Sequence, residues 1–328
     1  MVLSSHWTTL ATFQIQEYLE QLAKGHALQT SFSGSPEEDI YTYAKYSSFL
    51  PTSDIYIYDE LISTNQTLWE LIQQGAKAGT VAIAHQQSAG KGQWGRQWDS
   101  SLGGLYLSLA LEPNLPVQQS PHLILSTVCG IALALHSCQL PVAIKWPNDL
   151  VVEMPLGSSS SLYKLGGILT ETHINDQTIN QAVIGIGLNG ANPVPDPGIN
   201  LIDLWSKLRG NRPQPPLLNS LNGLAAIAIY GICFGWHKLQ KEGIGAILRD
   251  YNQLLVYRNR LVQIEWQRHL QWVRILGVTE AGYLRVRPEN AGKKLTGTLP
   301  TVSSSIEEIQ IPTGTIRLGY DKVYRRTG

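Results

Sequence analysis

The sequence predicts an α+β fold: a mixed sheet with helices packed on it, followed by a small unit made only of strands. Between residues 54 and 190 strand-like runs outnumber helical ones and are joined by short or Ser/Gly-rich links, unlike a strictly alternating parallel fold. From Arg260 onward the pattern alternates at period two, broken by Gly, Asn and Lys turns. The 328 residues are 43% hydrophobic and 15% charged, enough to bury a core and long enough for two domains.

Taken in order, Thr9 to Ala23 predicts one amphipathic helix, and SFSGSPEED after it reads as a loop. DIYIYDEL (54–61) is a strand, and STNQTLWELIQQG (63–75) is a capped helix that stops at Gly75. TVAIAHQQ (80–87) and GGLYLSLALEP (103–113) are strands, and 120–138 is a helix. VAIKW (142–146), YKLGGILTET (163–172) and QAVIGIGLN (181–189) are further strands, with a hairpin tip at the serine run 157–161. The proline-rich stretches 192–198 and 212–217 predict irregular connections, and 218–251 returns to helix. RLVQIEW, LQWVRILGVTE, YLRVRPE, and EEIQIP through TIRLGY predict short strands, the size of a small barrel. The resulting division is an extension at 1–53, a central domain at 54–250 and a C-terminal unit at 257–328.

Charge and cysteine usage exclude several classes. Lys plus Arg and Asp plus Glu are 25 each, so the chain is formally neutral. Residues 1–53 hold two Lys and five acids, a net of −3, which is wrong for a helix-turn-helix that must meet phosphates. Residues 249–328 hold 13 Lys and Arg against seven acids, a net of +6. Cys129, Cys138 and Cys233 are odd in number and widely spaced, which predicts a reducing, cytoplasmic setting. The N-terminus lacks the basic-then-apolar pattern of a signal peptide. The uncharged stretch Pro213–Trp236 reads as a core helix, and the apolar run 122–135 is shorter than the ~20 residues a bilayer needs, so no membrane partner is expected.

Five segments could carry chemistry. QSAGKGQWGRQW (87–98) sets glycines among Lys91, Gln93 and Arg96, so backbone N–H groups and cations could approach an anion; without a closing GK[ST] it is no P-loop. A mobile surface loop is the plain alternative. KWPNDL (145–150) leaves a strand end with Lys145, Trp146, Asn148 and Asp149, where Pro147 keeps Trp146 extended; the same letters also suit an ordinary Asn-Asp turn. YKLGGILTE (163–171) places Lys164 in an apolar strand beside Gly166 and Gly167, where another group can approach the backbone. GIGLNG (185–190) imitates a dinucleotide fingerprint, but Pro193, Pro195 and Pro197 follow, so no phosphate-binding helix can start there. Ser63, Thr64 and Asn65 could cap a helix or bond a small polar ring.

The order S-T-N, Q-x-A-G-[RK]-G-x-x-G-R-x-W, K-W-P-N-D, K-L-x-G-I-L-x-E and G-x-G-x-N resembles the biotin–protein ligase family over about residues 54 to 190. The resemblance implies a catalytic domain related to class II aminoacyl-tRNA synthetases and a C-terminal SH3-like barrel. It implies activation of biotin by MgATP to biotinyl-5′-AMP, then transfer to a lysine of a biotin carboxyl carrier protein, the acetyl-CoA carboxylase subunit. Ser63, Thr64, Asn65 and Gln87 would hold the biotin ring, with Lys91, Gly92 and Gln93 closing over it. Lys164 would meet the carboxylate and α-phosphate, Asn189 would lie near the adenine, and Lys145 and Asp149 would serve catalysis, Asp149 by helping the acceptor amine lose its proton. Arg96, Trp98, Trp146, Asn148, Gly166 and Gly167 complete the expected biotin and adenylate contacts. Mg²⁺ would arrive on the ATP phosphates, with no protein metal site and no prosthetic group.

Two departures stand out. The family loop often carries Arg at both cationic positions, where this chain has Lys91 and Gln93, and a lysine cannot make a bidentate fork. The serine-rich insert at 154–161 separates two motifs. No DNA partner is expected, and the sequence leaves a homodimer open. The rival readings are a lipoate–protein ligase of the same fold and a non-catalytic binding module that uses the basic C-terminal unit.

Overall fold

The computed structural model describes residues 5–23, 54–156, 159–266, 269–289, 308–316 and 318–320. Helix α1 (Ser5–Ala23) leads to β1 (Ile55–Leu61), α2 (Thr64–Gln73), β2 (Val81–Gln87), β3 (Leu105–Leu111), β4 (Leu115–Pro116) and α3 (Ser120–Ser137). Strands β5 (Val142–Lys145), β6 (Asp149–Leu156), β7 (Ser159–Asn175) and β8 (Thr178–Leu188) follow, then α4 (Leu201–Arg209), α5 (Leu221–Glu242) and α6 (Ile244–Leu254). The last strands are β9 (Leu261–Trp266), β10 (His269–Val278), β11 (Leu284–Pro288) and β12 (Ile309–Ile311).

The central sheet runs β1-β2-β3-β8-β7-β6-β5, with β4 paired to β8. β1 and β2 are parallel, and the other paired strands are antiparallel. The mixed sheet is therefore as expected. Period-two alternation gives it two different faces. Leu105, Leu107 and Leu109 of β3 stand opposite Leu188, Ile186 and Ile184 of β8 and bury together with α3 and α5. Between them, Ser108 faces Gly185, and Gly187 lies between Tyr106 of β3 and Gly167 of β7. On that second face α2 covers only one patch, with Leu68 against Tyr58, Ala82, Ala110 and Val183. Beyond α2 the small residues leave room for a cavity.

The apolar helices are core helices. The segment Val117–Ser137, which contains α3, is long and apolar enough to span a bilayer and is longer than the 122–135 run read from the sequence. Its apolar residues are instead buried against α5 and the sheet. Gly130 explains how closely the pair packs, because a Cβ there would collide with the carbonyl of Gly231. α1 lies on α5 and buries Ile15, Leu19 and Leu22. Of residues 1–53, only α1 falls among the described ones, so the loop expected at 31–39 lies outside them.

Three elements differ from expectation. The helix read over 218–251 is two, split where Gly243 adopts φ +76° between α5 and α6. α4 lies between the two stretches read as irregular, over residues given no assignment; Asn200 caps it by accepting from the Asp203 N–H at 2.8 Å, and Gly210 ends it. β6, not assigned from the sequence, makes the hairpin with β7, and residues 157–158 at its tip lie outside the described residues.

The C-terminal strands form a four-stranded antiparallel sheet, β12-β11-β10-β9. The stretch read as strand through TIRLGY is strand only at Ile309–Ile311 among the described residues. The connection into this sheet is tied to the central one: the Val256 N–H donates to the Ile144 carbonyl at 3.0 Å.

Candidate active site

The glycine loop, the β5–β6 turn and the Lys164 strand border one cavity of about 380 Å³ on the small-residue face. At one end lies the N-terminus of α2. Ser63 occupies the N-cap position, yet its hydroxyl makes no capping bond, so it stays available to the cavity it lines. The Thr64 N–H donates to Gln87 Oε1 at 2.8 Å, and Gln87 Nε2 donates to Ser100 Oγ at 2.8 Å. Gln87 is thus a rigid wall whose amide orientation is fixed by its two partners. Asn65 completes this polar end.

The roof is the glycine loop, folded as a tight hairpin. Lys91 bridges Gln97, the Gly92 N–H donates to the Arg96 carbonyl at 2.7 Å, and the Trp98 N–H donates to the Gly90 carbonyl at 2.8 Å. Trp98 folds its indole over the sheet, where a Cβ on Gly187 would strike it. Gly187 is therefore a landing site for a ring rather than part of a phosphate turn, and no helix follows it until Leu201. The buried indole Nε1 of Trp98 has no partner.

The far end is a charge cluster assembled by two devices. The first is the turn between β5 and β6, which pairs Lys145 directly across from Asp149. Trp146 Nε1 donates to the Gly282 carbonyl at 2.9 Å, and the Tyr251 hydroxyl donates to the Pro147 carbonyl at 2.9 Å. The C-terminal sheet and α6 thereby clamp the turn from outside. The second device is a bulge in β7: Lys164 pairs with Val151 and Gly166 with Leu150, so Leu165 is an extra residue. Leu165 and Ile168 both point into the apolar core, so the face alternation shifts between them and Lys164 lies on the cavity side.

Lys164 Nζ is 2.7 Å from Asp149 Oδ1, and Lys145 Nζ is 3.5 Å from Asp149 Oδ2. The Lys164 ammonium also sits 5.0 Å from the centre of the Trp98 ring, linking the cluster to the roof. Burial alone would raise the Asp149 carboxyl, but Lys164, Lys145 and the Tyr320 hydroxyl together hold it below its ordinary value. Burial depresses Lys145, and Asp149 offsets part of that shift.

Tyr320 was not legible as a site residue. Its hydroxyl donates to Asp149 Oδ2 at 2.5 Å, and the Lys145 ammonium lies 4.2 Å above its ring. The Tyr257 hydroxyl donates to the Gly319 carbonyl at 2.7 Å and fixes the backbone beside it. Gly314 from the same segment meets Trp94 of the glycine loop. The only sequence signal was a Gly-Tyr pair at the end of a strand-like run. Ser108, also missed, had a clearer one, a lone hydroxyl in the buried strand LYLSLAL.

Most of the expected residues line the cavity: Ser63, Thr64, Asn65, Gln87, Lys91, Gly92, Gln93, Arg96 and Trp98, then Lys145, Trp146, Asn148, Asp149, Lys164 and Gly167. Two do not. Asn189, expected near an adenine, is buried and donates to the carbonyls of Lys164 and Ile199, both at 3.3 Å, so it ties the 189–200 loop to β7. Gly166 sits inside the sheet, where a Cβ would press on the Gly187 carbonyl. Asn148 reaches the cavity but spends its amide on the Ile168 carbonyl at 2.5 Å, which shapes the turn.

The fold is shared with a solved ligase, and the central sequence is similar to ligases. Residues 59–189 match the model of the biotin/lipoate A/B protein ligase family. The bifunctional ligase/repressor BirA of Bacillus spizizenii is 35% identical over 136 residues, 40% of this chain and 39% of that protein. BirA of Escherichia coli is 32% identical over 209 residues, 62% of this chain and 59% of that protein. The chain thus spans about two fifths to three fifths of these relatives. A biotin protein ligase of Aquifex aeolicus, solved with biotin and ATP, superposes with a TM-score of 0.58 at 20% identity, over 82% of this chain and 99% of that one. The chain is thus similar, over its central region, to biotin–protein ligases, and its fold is that of a solved one.

Proposed function

We propose that the protein activates biotin with ATP and transfers the biotinyl group to a lysine of a biotin carboxyl carrier protein. The carrying observation is the meeting of Lys145, Asp149 and Lys164 with the glycine loop at one end of a cavity whose other end holds Ser63, Thr64, Asn65 and Gln87. That spacing suits a polar ring at one end and a reacting carboxylate at the other. MgATP brings its own Mg²⁺ on the phosphates.

In the first step a carboxylate oxygen of biotin attacks the α-phosphorus of ATP, and pyrophosphate leaves. Carboxylate and triphosphate repel, so Lys164 and Lys145 must offset the charge that builds where they meet. In the second step the carrier amine attacks the acyl carbon and AMP leaves. The expected part for Asp149, accepting the amine's proton, fits its setting poorly: three donors engage its two oxygens and depress its basicity. Asp149 instead orders the two ammonium groups.

The mixed anhydride hydrolyses readily, so the loop over it must exclude water. Lys91→Gly is expected to release adenylate faster and to label bystander lysines, read by biotin blotting of an inert added protein. Unchanged labelling would show that the loop is no lid. The central test is biotin-dependent ATP–pyrophosphate exchange by the purified chain, and no exchange would end the proposal. A thermal shift with biotin but not lipoate separates the two ligase readings.

The binding-module alternative has less support than the +6 C-terminal charge suggested. Arg274 pairs with Glu289 and Arg285 with Glu308, acids already counted in that net charge, and Arg260 pairs with Glu153 of the central domain, which offsets one charge more. A cytoplasmic location is consistent with the three free, buried or half-buried cysteines, of which burial pushes the Cys138 and Cys233 thiols up to about 12.

A further inference from the structure

We infer that Glu171 is a positioning residue for substrate selection: it fixes the side-chain amide of Asn65 so that the cavity offers an acceptor and demands an N–H from the ligand ring. This role rests on the biotin-activating reading. Glu171 closes the K-L-x-G-I-L-x-E motif, yet it does not line the main cavity.

Its contacts are specific. Asn65 Nδ2 donates to Glu171 Oε2 at 2.9 Å, and Trp69 Nε1 donates to the same oxygen at 3.2 Å. A carboxylate can only accept, so the NH₂ of Asn65 must face Glu171 and the carbonyl must face away. That carbonyl, Oδ1, lies 2.6 Å from Ser108 Oγ, on the floor beside Gly185. A Cβ at Gly185 would occupy the position of Oδ1, so the glycine makes room for this one orientation. Ser108 also lies 2.8 Å from Thr64 Oγ1, and its one proton can serve only one of them. Ser108 alone, able to donate or accept, could not orient the amide, whereas Glu171 can.

An Oδ1 acceptor at the floor selects rings that carry an N–H, such as a cyclic urea, over a dithiolane, which has none. With Ser108 Oγ against one side of Oδ1, a ring without an N–H leaves the second lone pair unused, and that costs binding. The second carboxylate oxygen, Oε1, lies 3.8 Å from Lys91 Nζ. Glu171 therefore also touches the loop that closes the cavity.

The test is steady-state exchange with Glu171→Gln, whose amide can donate or accept and no longer dictates how Asn65 sits. The biotin KM is expected to rise roughly tenfold, one oriented hydrogen bond to a charged group, and by more than kcat falls. Trp69→Phe, which removes only the anchoring bond from α2, should lower the melting temperature without raising KM. The Glu171→Gln change should add little on top of Asn65→Ala, because both act on one amide. A biotin-dependent wild type with an unchanged KM in Glu171→Gln, or full additivity with Asn65→Ala, would overturn the role alone. A wild type without biotin dependence would overturn both the role and the ligase reading.

Discussion

Replacing Lys164 with alanine is expected to slow biotin-dependent ATP–pyrophosphate exchange by about 10²–10³, or roughly 3–4 kcal/mol, the typical cost of one charge-stabilising donor. The β7 bulge brings this ammonium to the cavity, 2.7 Å from Asp149 and over the Trp98 ring. The loss should lie in rate rather than in folding, because Asp149 keeps Lys145 and Tyr320 as partners. Circular dichroism and melting should therefore stay near wild type. Lys164→Arg should restore little, since a planar fork does not take the place of a compact ammonium. Near-normal exchange by Lys164→Ala would remove the lysine from the reaction.

Asp149→Asn is expected to cost stability as well as activity. The side chain keeps its shape, but two ammonium groups then face each other without the carboxylate between them. Lys145 is buried, and removing one partner of a buried ion pair typically costs about 3–5 kcal/mol. For a domain of this size that is roughly 10 °C in melting temperature, readable by calorimetry. The pH dependence has a definite sign. Because the folded carboxyl lies below its ordinary 3.8, its stabilisation is complete above that value and fades as pH falls through the lower folded one. The Asp149→Asn protein should lack this acid-side component. It should regain stability as the medium turns alkaline and Lys145, already depressed by burial, gives up its proton. A variant as stable as wild type at every pH would mean that the cluster holds no net charge coupling.

Much of this architecture could be read from the sequence because its signals are local. Alternation in LYLSLAL and QAVIGIGL marked β3 and β8, and the motifs around Gly92, Lys145 and Lys164 marked the cavity. What escaped depends on pairing between distant segments. A bulge is one residue out of step with a partner strand, so YKLGGILTE alone could not show which way Lys164 points. Asn189 looked like a site residue because it ends a strand, but its role came from carbonyls on β7 and near Ile199. The helix α4 was hidden by neighbouring prolines, although Asn200 and Gly210 were its stop signs at either end. Tyr320 lies 171 positions from the carboxylate it touches, beyond the reach of any sequence window.

That last separation also bears on how the molecule is made. Synthesis runs from the N-terminus, so a ribosome finishes the ring-binding end and the lysine strand well before it reaches the tyrosine. Until residue 320 emerges, the Asp149 carboxylate lacks its phenolic partner and Lys145 its aromatic cover. A polypeptide shorter than 320 residues therefore has the receptacle without the phenol that braces its carboxylate.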